Sequence, residues 1–244
     1  MRLFVSLFAY AFGKQHWPNV DAAAARELAL GGSSSVPGFR TLYRLRKLVD
    51  EIELHTDHST LIARARDRAA GRFLRSTCDQ WIAIDDDVDA DDRACMAMLT
   101  TQTENILSAA MRMRTGVRDF NVAFNGAREI PIGVPFRVSR VGMGMIRIPR
   151  AELVAVAGCF LENQWDEPSP DAHTVTDNLG PIVFERPSRV DTSPGVFLPV
   201  VKDRKWLDDD WAFCARAEDA LVDVWSIILP GIAHAGIPNL ELTR

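Results

Sequence analysis

Lysine is scarce in this chain, with 4 residues against 24 arginines, and the basic total of 28 falls short of the 33 acidic residues. The formal charge of −5 excludes a general electrostatic binder of nucleic acid, which leans the other way. Arginine forks suit phosphate and carboxylate, although a bias in base composition accounts for the excess of arginine as simply. Cysteine is also sparse. Cys78, Cys95, Cys159 and Cys214 are widely spaced with no Cys-x-x-Cys pair, so neither a zinc site nor a disulfide framework is indicated, and a reduced, cytoplasmic setting is expected. No apolar run reaches the roughly 18 residues that a membrane span needs, so no transmembrane segment is expected. Internal repeats and sustained low-complexity tracts are absent from the sequence.

Apolar residues at 47% and charged residues at 25% are ordinary globular composition, and 244 residues suffice for one large domain or two small ones with a real core. The opening run, Leu3 to Phe12, reads as a buried first strand in preference to a short signal-peptide core. A mixed basic and apolar pattern at 38–50 suggests a helix, and Glu51 to Leu54 a short strand. Leu61, Ala65, Ala69 and Phe73 recur every four residues, predicting a helix capped by Ser59 or Thr60. Arg64, Arg68 and Arg72 share another face, most simply a solvated one. Arg66 instead lies at the edge of the buried stripe, where an unpartnered guanidinium is expensive, so it either reaches solvent or meets an anion.

Further strands are expected at Trp81 to Ile84, Ile106 to Met113, Phe136 to Val141 continuing through Ile146, and Val222 to Leu229. Helices are expected from about Asp91, from Pro149 through Val156, and after Asp208-Asp209-Asp210. Residues 163–200, rich in Pro, Asp, Ser and Thr, read as a mobile loop or lid. His234 is placed in a loop. Strands alternating with helices make the fold α/β.

The strongest chemical signal is the sequence Asp85-Asp86-Asp87-Val88-Asp89-Ala90-Asp91-Asp92. A buried strand that ends in carboxylates places them where open α/β sheets bind ligands. Hard divalent cations take oxygen ligands, and Asp85 and Asp87 share one side of an extended chain. An EF-hand is excluded, because its sixth position would be Ala90 and its twelfth Met96. A phosphohydrolase of the haloacid-dehalogenase kind fits the local Asp-x-Asp, but here some eighty residues precede the motif and no later Gly-Asp-x-x-x-Asp follows Lys202 or Lys205. His234 is a possible third ligand.

Four segments in order resemble a glycosyltransferase of the GT-A fold, of the small single-domain type found in bacteria and phages. Arg66-Asp67 within Leu61 to Leu74 is similar to the family's Arg-Asn helix, and Ile82 to Val88 to its Asp-x-Asp strand. Gly142-Met143-Gly144 resembles the Gly-x-Gly segment near the acceptor, and Asp209-Asp210-Trp211 the Glu-Asp segment. His234 with Gly236 falls where a His-x-Gly closes the metal site. Asp67 stands in place of Asn, Asp209 in place of Glu, and Ala220-Leu221 where a Gly is expected.

The resemblance implies a single domain over 1–244, with a Rossmann-like mixed sheet flanked by helices. About 1–105 would form its nucleotide- and metal-binding half and about 106–244 its acceptor half. It implies a divalent cofactor, Mn²⁺ or Mg²⁺, on Asp85, Asp87 and His234. Phe8, Tyr10, Arg66, Asp67, Asp85 and Asp86 would contact a nucleotide-sugar donor, a UDP-sugar being commonest. Asp209 or Asp210 would act as base, with Gly142, Gly144 and Trp211 on the acceptor side. The acceptor is left open among a saccharide, a lipid-linked sugar, a protein and modified DNA. A phosphohydrolase and a non-catalytic nucleotide- or cation-binding relic stand as alternatives.

Overall fold

The computed structural model of the protein describes residues 1–8, 27, 29–57, 61–113, 120–124, 131–159, 165–168, 173–177, 180–184, 190–234 and 237–238. Strand β1 (Arg2–Phe8) is buried from Leu3 onward, as a continuous apolar run requires of an interior strand. Its side chains alternate between two faces. Leu3, Val5 and Leu7 join one core, while Phe4 and Phe8 join the other.

Strands β2 (Glu51–Asp57) and β3 (Gln80–Asp85) flank β1, both parallel to it. Beyond β3 lie β8 (Met145–Pro149), β5 (Ile106–Ala110), β15 (Val224–Ile228), β7 (Phe136–Val141) and β6 (Val122–Phe124). Beyond β2 lie β11 (Gly180–Phe184) and β10 (His173–Asp177). The ten-stranded sheet is mixed, since β8 runs antiparallel to both β3 and β5. Helices α1 (Pro37–Arg46) and α3 (Asp92–Thr100) pack on the Leu3 face; α2 (Ile62–Arg75), α4 (Arg150–Gly158) and α5 (Asp209–Asp219) pack on the Phe4 face. The fold is therefore α/β, with a large mixed sheet between helices, as expected.

On the Phe4 face the Phe73 ring lies 5.6 Å from Phe4 and 6.0 Å from Trp81 between centroids, each side chain almost wholly buried. Such burial contributes about 1.5–3 kcal/mol for a Phe. Trp81 satisfies its indole N–H on the Ser6 hydroxyl at 2.8 Å. Two arginines close helix ends. Arg150 donates to the carbonyls of Phe73, Leu74, Ser76 and Cys78 at 2.8–2.9 Å, and Arg147, 2% exposed, donates to those of Met98, Leu99, Thr101 and Thr103. Each fork satisfies carbonyls that the end of a helix leaves unpaired. Among the described residues no helix is long and apolar enough to cross a membrane.

Several elements differ from expectation. The single strand expected through Ile146 is two strands, because the chain breaks at Gly142–Gly144 and β8 inserts between β3 and β5 while β7 joins β15. The strand expected to reach Met113 stops at Ala110. Within 163–200 the described segments are not a bare loop but include β9 (Trp165–Pro168), β10, β11, β12 (Val190–Ser193) and the start of β13 (Val200–Lys202). Residues 9–12, Ser59 and Thr60 lie outside the described residues; α2 starts at Ile62, after Leu61.

Candidate functional site

The carboxyl ends of β1, β2 and β3 stand side by side, with Phe8 in register with Asp57 on one side and Asp85 on the other. Immediately after Asp85 the chain turns at Asp86–Asp87 into the short strand β4 (Val88–Ala90). Backbone bonds fix this turn. Asp85 N–H donates to the Gly144 carbonyl at 2.8 Å, Asp86 N–H to the Phe8 carbonyl at 3.0 Å, and the Asp86 carbonyl accepts from Gly38 at 2.9 Å. Asp86 itself is 4% exposed.

The aspartates after Asp87 have structural partners. Arg40 and Arg44 hold Asp89, Asp91 caps α3 by accepting from Ala94 N–H at 2.8 Å, and Asp92 lies 3.8 Å from Lys47. Asp85 and Asp87, by contrast, have partners from other elements and side chains 26% and 25% exposed. His234 is not in a loop. It ends β16 (Ile232–His234), antiparallel to β4, with His234 opposite Val88. This pairing brings its Nε2 to 3.5 Å from Asp87 Oδ1. Its Nδ1 lies 3.4 Å from the Arg112 carbonyl.

Arg66 meets anions. Its guanidinium, 4% exposed, contacts Asp209 and Asp210 through Nη1 and Asp85 through Nη2 at 3.2 Å, with its Cζ 5.8 Å from the centre of the Phe8 ring. Three carboxylates from β3 and α5 thus converge on one cation from α2. Burial alone would loosen the Arg66 proton, but Asp210, Asp85 and Asp209 reverse that and raise its pKa. Burial likewise pushes Asp85 up, against the pull of Arg66. Asp210 is pushed up to about 6 by burial against Arg66, with Asp209 and Asp85 adding to the rise. Its second oxygen accepts from Met143 N–H at 3.2 Å, which ties the Gly-x-Gly segment to the acidic pair.

Gly142 and Gly144 are there for close approach. A Cβ on Gly142 would come within 2.2 Å of Asn121 Nδ2, and one on Gly144 within 2.6 Å of the Met111 sulfur. Phe8 is 1% exposed and sits in the core beneath Arg66. Asp67 is fully buried and accepts from Phe197 N–H at 2.9 Å. Trp211 is 48% exposed at the start of α5. Tyr10 and Gly236 lie outside the described residues.

On the face of α2 expected to be solvated, Arg64 is exposed, whereas Arg68 and Arg72 reach β2. Arg68 grips Asp57 with two bonds of 2.8 Å, and Arg72 donates to His55 Nδ1. An arginine cannot accept, so His55 is neutral at Nδ1 and carries its proton on Nε2, 3.7 Å from Asp57. Burial, then Arg72, pulls His55 down to about 4. Burial works to raise Asp57, but His55 and Arg68 outweigh it and hold that carboxyl low. His55 and Asp57 alternate at a strand end, and Arg68 and Arg72 are one helical turn apart; those two spacings were the available signal.

No protein-family model matches the chain, and no curated protein matches it in sequence. In structure it is similar to A197 from STIV, at 14% identity and a TM-score of 0.45 over 93% of this chain and 82% of that one. It is similar to a Bacillus anthracis protein described as a glucose-1-phosphate thymidylyltransferase, in complex with a sucrose, at 12% identity and a TM-score of 0.38, over 64% and 74% of the two chains. It is also similar to the nucleoside-diphosphate-sugar pyrophosphorylase from Vibrio cholerae RC9, at 9% identity and a TM-score of 0.42, over 98% and 97%.

Proposed function

We propose that the protein is a metal-dependent glycosyltransferase that moves a sugar from a nucleotide-sugar, a UDP-sugar first among them, to an acceptor hydroxyl. The observation that carries this reading is the convergence of Asp85, Asp209 and Asp210 on buried Arg66, with Asp87 and His234 paired beside them. Three ionised carboxylates around one guanidinium leave two negative charges in a partly buried site, which a divalent cation balances.

The donor chemistry fits that ion. Asp87 offers oxygen and His234 an imidazole nitrogen, a set suited to Mn²⁺ or Mg²⁺. Among the described residues no group of three or more His, Cys, Asp or Glu could hold a metal by itself. A diphosphate and water would therefore complete the shell, the usual arrangement for magnesium at phosphates. A divalent cation bound there supplies Lewis-acid neutralisation of the charge that grows on a departing diphosphate. Asp85 stands at the end of β3, two residues before Asp87.

Asp210 takes the acceptor proton in this scheme. A carboxyl pushed up to about 6 is deprotonated at neutral pH yet basic enough to help, and such general-base assistance is worth roughly 10²–10⁴-fold. Arg66 holds Asp209 and Asp210 against Asp85 and so keeps the donor and acceptor sides in register. Three buried thiols, Cys78, Cys95 and Cys214, with no disulfide recorded among the described residues, favour a cytoplasmic setting. The phosphohydrolase alternative needs a lysine at the site; among the described residues Lys47 lies by Asp92, Lys202 pairs with Asp219 and Lys205 is exposed.

The test is to incubate the protein with Mn²⁺ and either UDP-sugars or p-nitrophenyl phosphate. Slow metal-dependent release of free sugar from a UDP-sugar, reduced at least tenfold in Asp210→Asn, supports the proposal. Phosphate release from the ester with inert UDP-sugars contradicts it.

A further inference from the structure

The site has an unusual neighbour. Strand β13 (Val200–Lys202) and β14 (Lys205–Leu207) form a hairpin whose two turn residues, Asp203 and Arg204, have positive φ values of 51° and 62°, the geometry of a tight two-residue turn. Cross-strand partners lie on one face of such a ribbon. Val200 and Leu207 face inward and pack on Ala212 and Ala215 of α5, the helix that begins with Asp209 and Asp210. Their outward counterparts, Val201 and Trp206, are opposite one another, 64% and 65% exposed.

Trp206 is held nonetheless. Its indole N–H donates to Asp208 Oδ1 at 2.8 Å. Asp208 is the residue preceding the first turn of α5, where an aspartate ordinarily caps the helix, yet its side chain makes no capping bond. A carboxylate at the capping position of α5 is spent on fixing an exposed indole, three residues before the acidic pair at the site.

We propose that Trp206, fixed by Asp208 and flanked by Val201, is a stacking subsite for a pyranose ring of a saccharide acceptor. A pyranose presents a face of C–H groups and a rim of hydroxyls. An indole face covers the first, and a carboxylate at its edge accepts from the second. A lipid surface fits less well, because Asp203 in the turn and Asp208, Asp209 and Asp210 after the hairpin oppose the exposed Arg204 and Lys205, and Asp219 neutralises Lys202. Rigid seating on α5 keeps the platform at a constant position relative to Asp210. The word acceptor rests on the glycosyltransferase reading; the stacking site does not.

The experiment applies wild type, Trp206→Ala and Trp206→Phe to an array of immobilised oligosaccharides and to phosphatidylglycerol vesicles. Binding of UDP with Mn²⁺ is measured in parallel. Wild type is expected to bind one or more glycans, Trp206→Ala at least tenfold more weakly, and Trp206→Phe in between, with unchanged melting temperatures and nucleotide binding. No glycan bound by wild type, or equal binding by Trp206→Ala, overturns the proposal. So does vesicle binding that depends on Trp206 without glycan binding. Glycan binding without any nucleotide binding keeps the stacking site and removes the transferase reading.

Discussion

Replacing Arg66 by Met removes the one buried cation that three carboxylates share. Breaking a buried charge cluster on one side typically costs about 3–5 kcal/mol, because the remaining charges lose their partner. Here the side chains of Asp85 and Asp210 are 26% exposed and that of Asp209 is 13% exposed, so solvent recovers part of the loss. The expected cost is therefore near the lower end, about 3 kcal/mol at pH 7. For a chain of this size that corresponds to a melting temperature lower by roughly 6–12 °C. The sign of the pH dependence follows from the same charges. Without Arg66, Asp85 and Asp210, already raised by burial, lose its opposing pull and rise further. The destabilisation then grows as pH rises through the interval of that shift and shrinks as pH falls toward 4. Urea denaturation of both proteins at several pH values, followed by tryptophan fluorescence, measures this directly. A loss below about 1 kcal/mol at pH 7, or one that does not vary with pH, would refute the reasoning.

Two other perturbations test the surrounding frame. His55 is buried neutral with its pKa pulled from 6.5 to about 4, so it favours the fold fully above about 6.5 and progressively less as pH falls toward 4. The span is of order 3 kcal/mol, and chemical denaturation of His55→Gln should show a flatter acid limb than wild type between those pH values. Arg150→Ala should cost about 3 kcal/mol by removing the fork that gathers the carbonyls of Phe73, Leu74, Ser76 and Cys78 at and just past the end of α2. Arg150→Lys should recover less than half of that, since an ammonium cannot reproduce the fork; thermal melts of the three proteins measure both effects.

The α/β class was legible because β1, β3 and α2 carry unbroken local patterns that agree with their packing. Arg66 stood out for a physical reason: a guanidinium on a buried stripe has to meet an anion, and it does. Other features depend on pairings that no local pattern records. His234 sits beside Asp87 only because β16 adds to β4, and a loop and a three-residue strand look alike in sequence. Gly142 to Gly144 read as strand continuation, whereas close packing against Asn121 and Met111 forces a break there. The Arg68–Asp57 and Arg72–His55 contacts were hidden by the default that an arginine face is solvated. That default fails when the adjoining strand ends in groups able to receive those charges. Asp208, at the position where an aspartate ordinarily caps a helix, instead holds Trp206 of the hairpin preceding it.

The most direct test of the central claim is a calorimetric titration of the protein with UDP, with and without Mn²⁺, repeated on Asp87→Ala. The account predicts that UDP binds only with the metal and that binding is lost in the variant while the melting temperature is kept. UDP binding that ignores Mn²⁺, or that survives unchanged in Asp87→Ala, would contradict it.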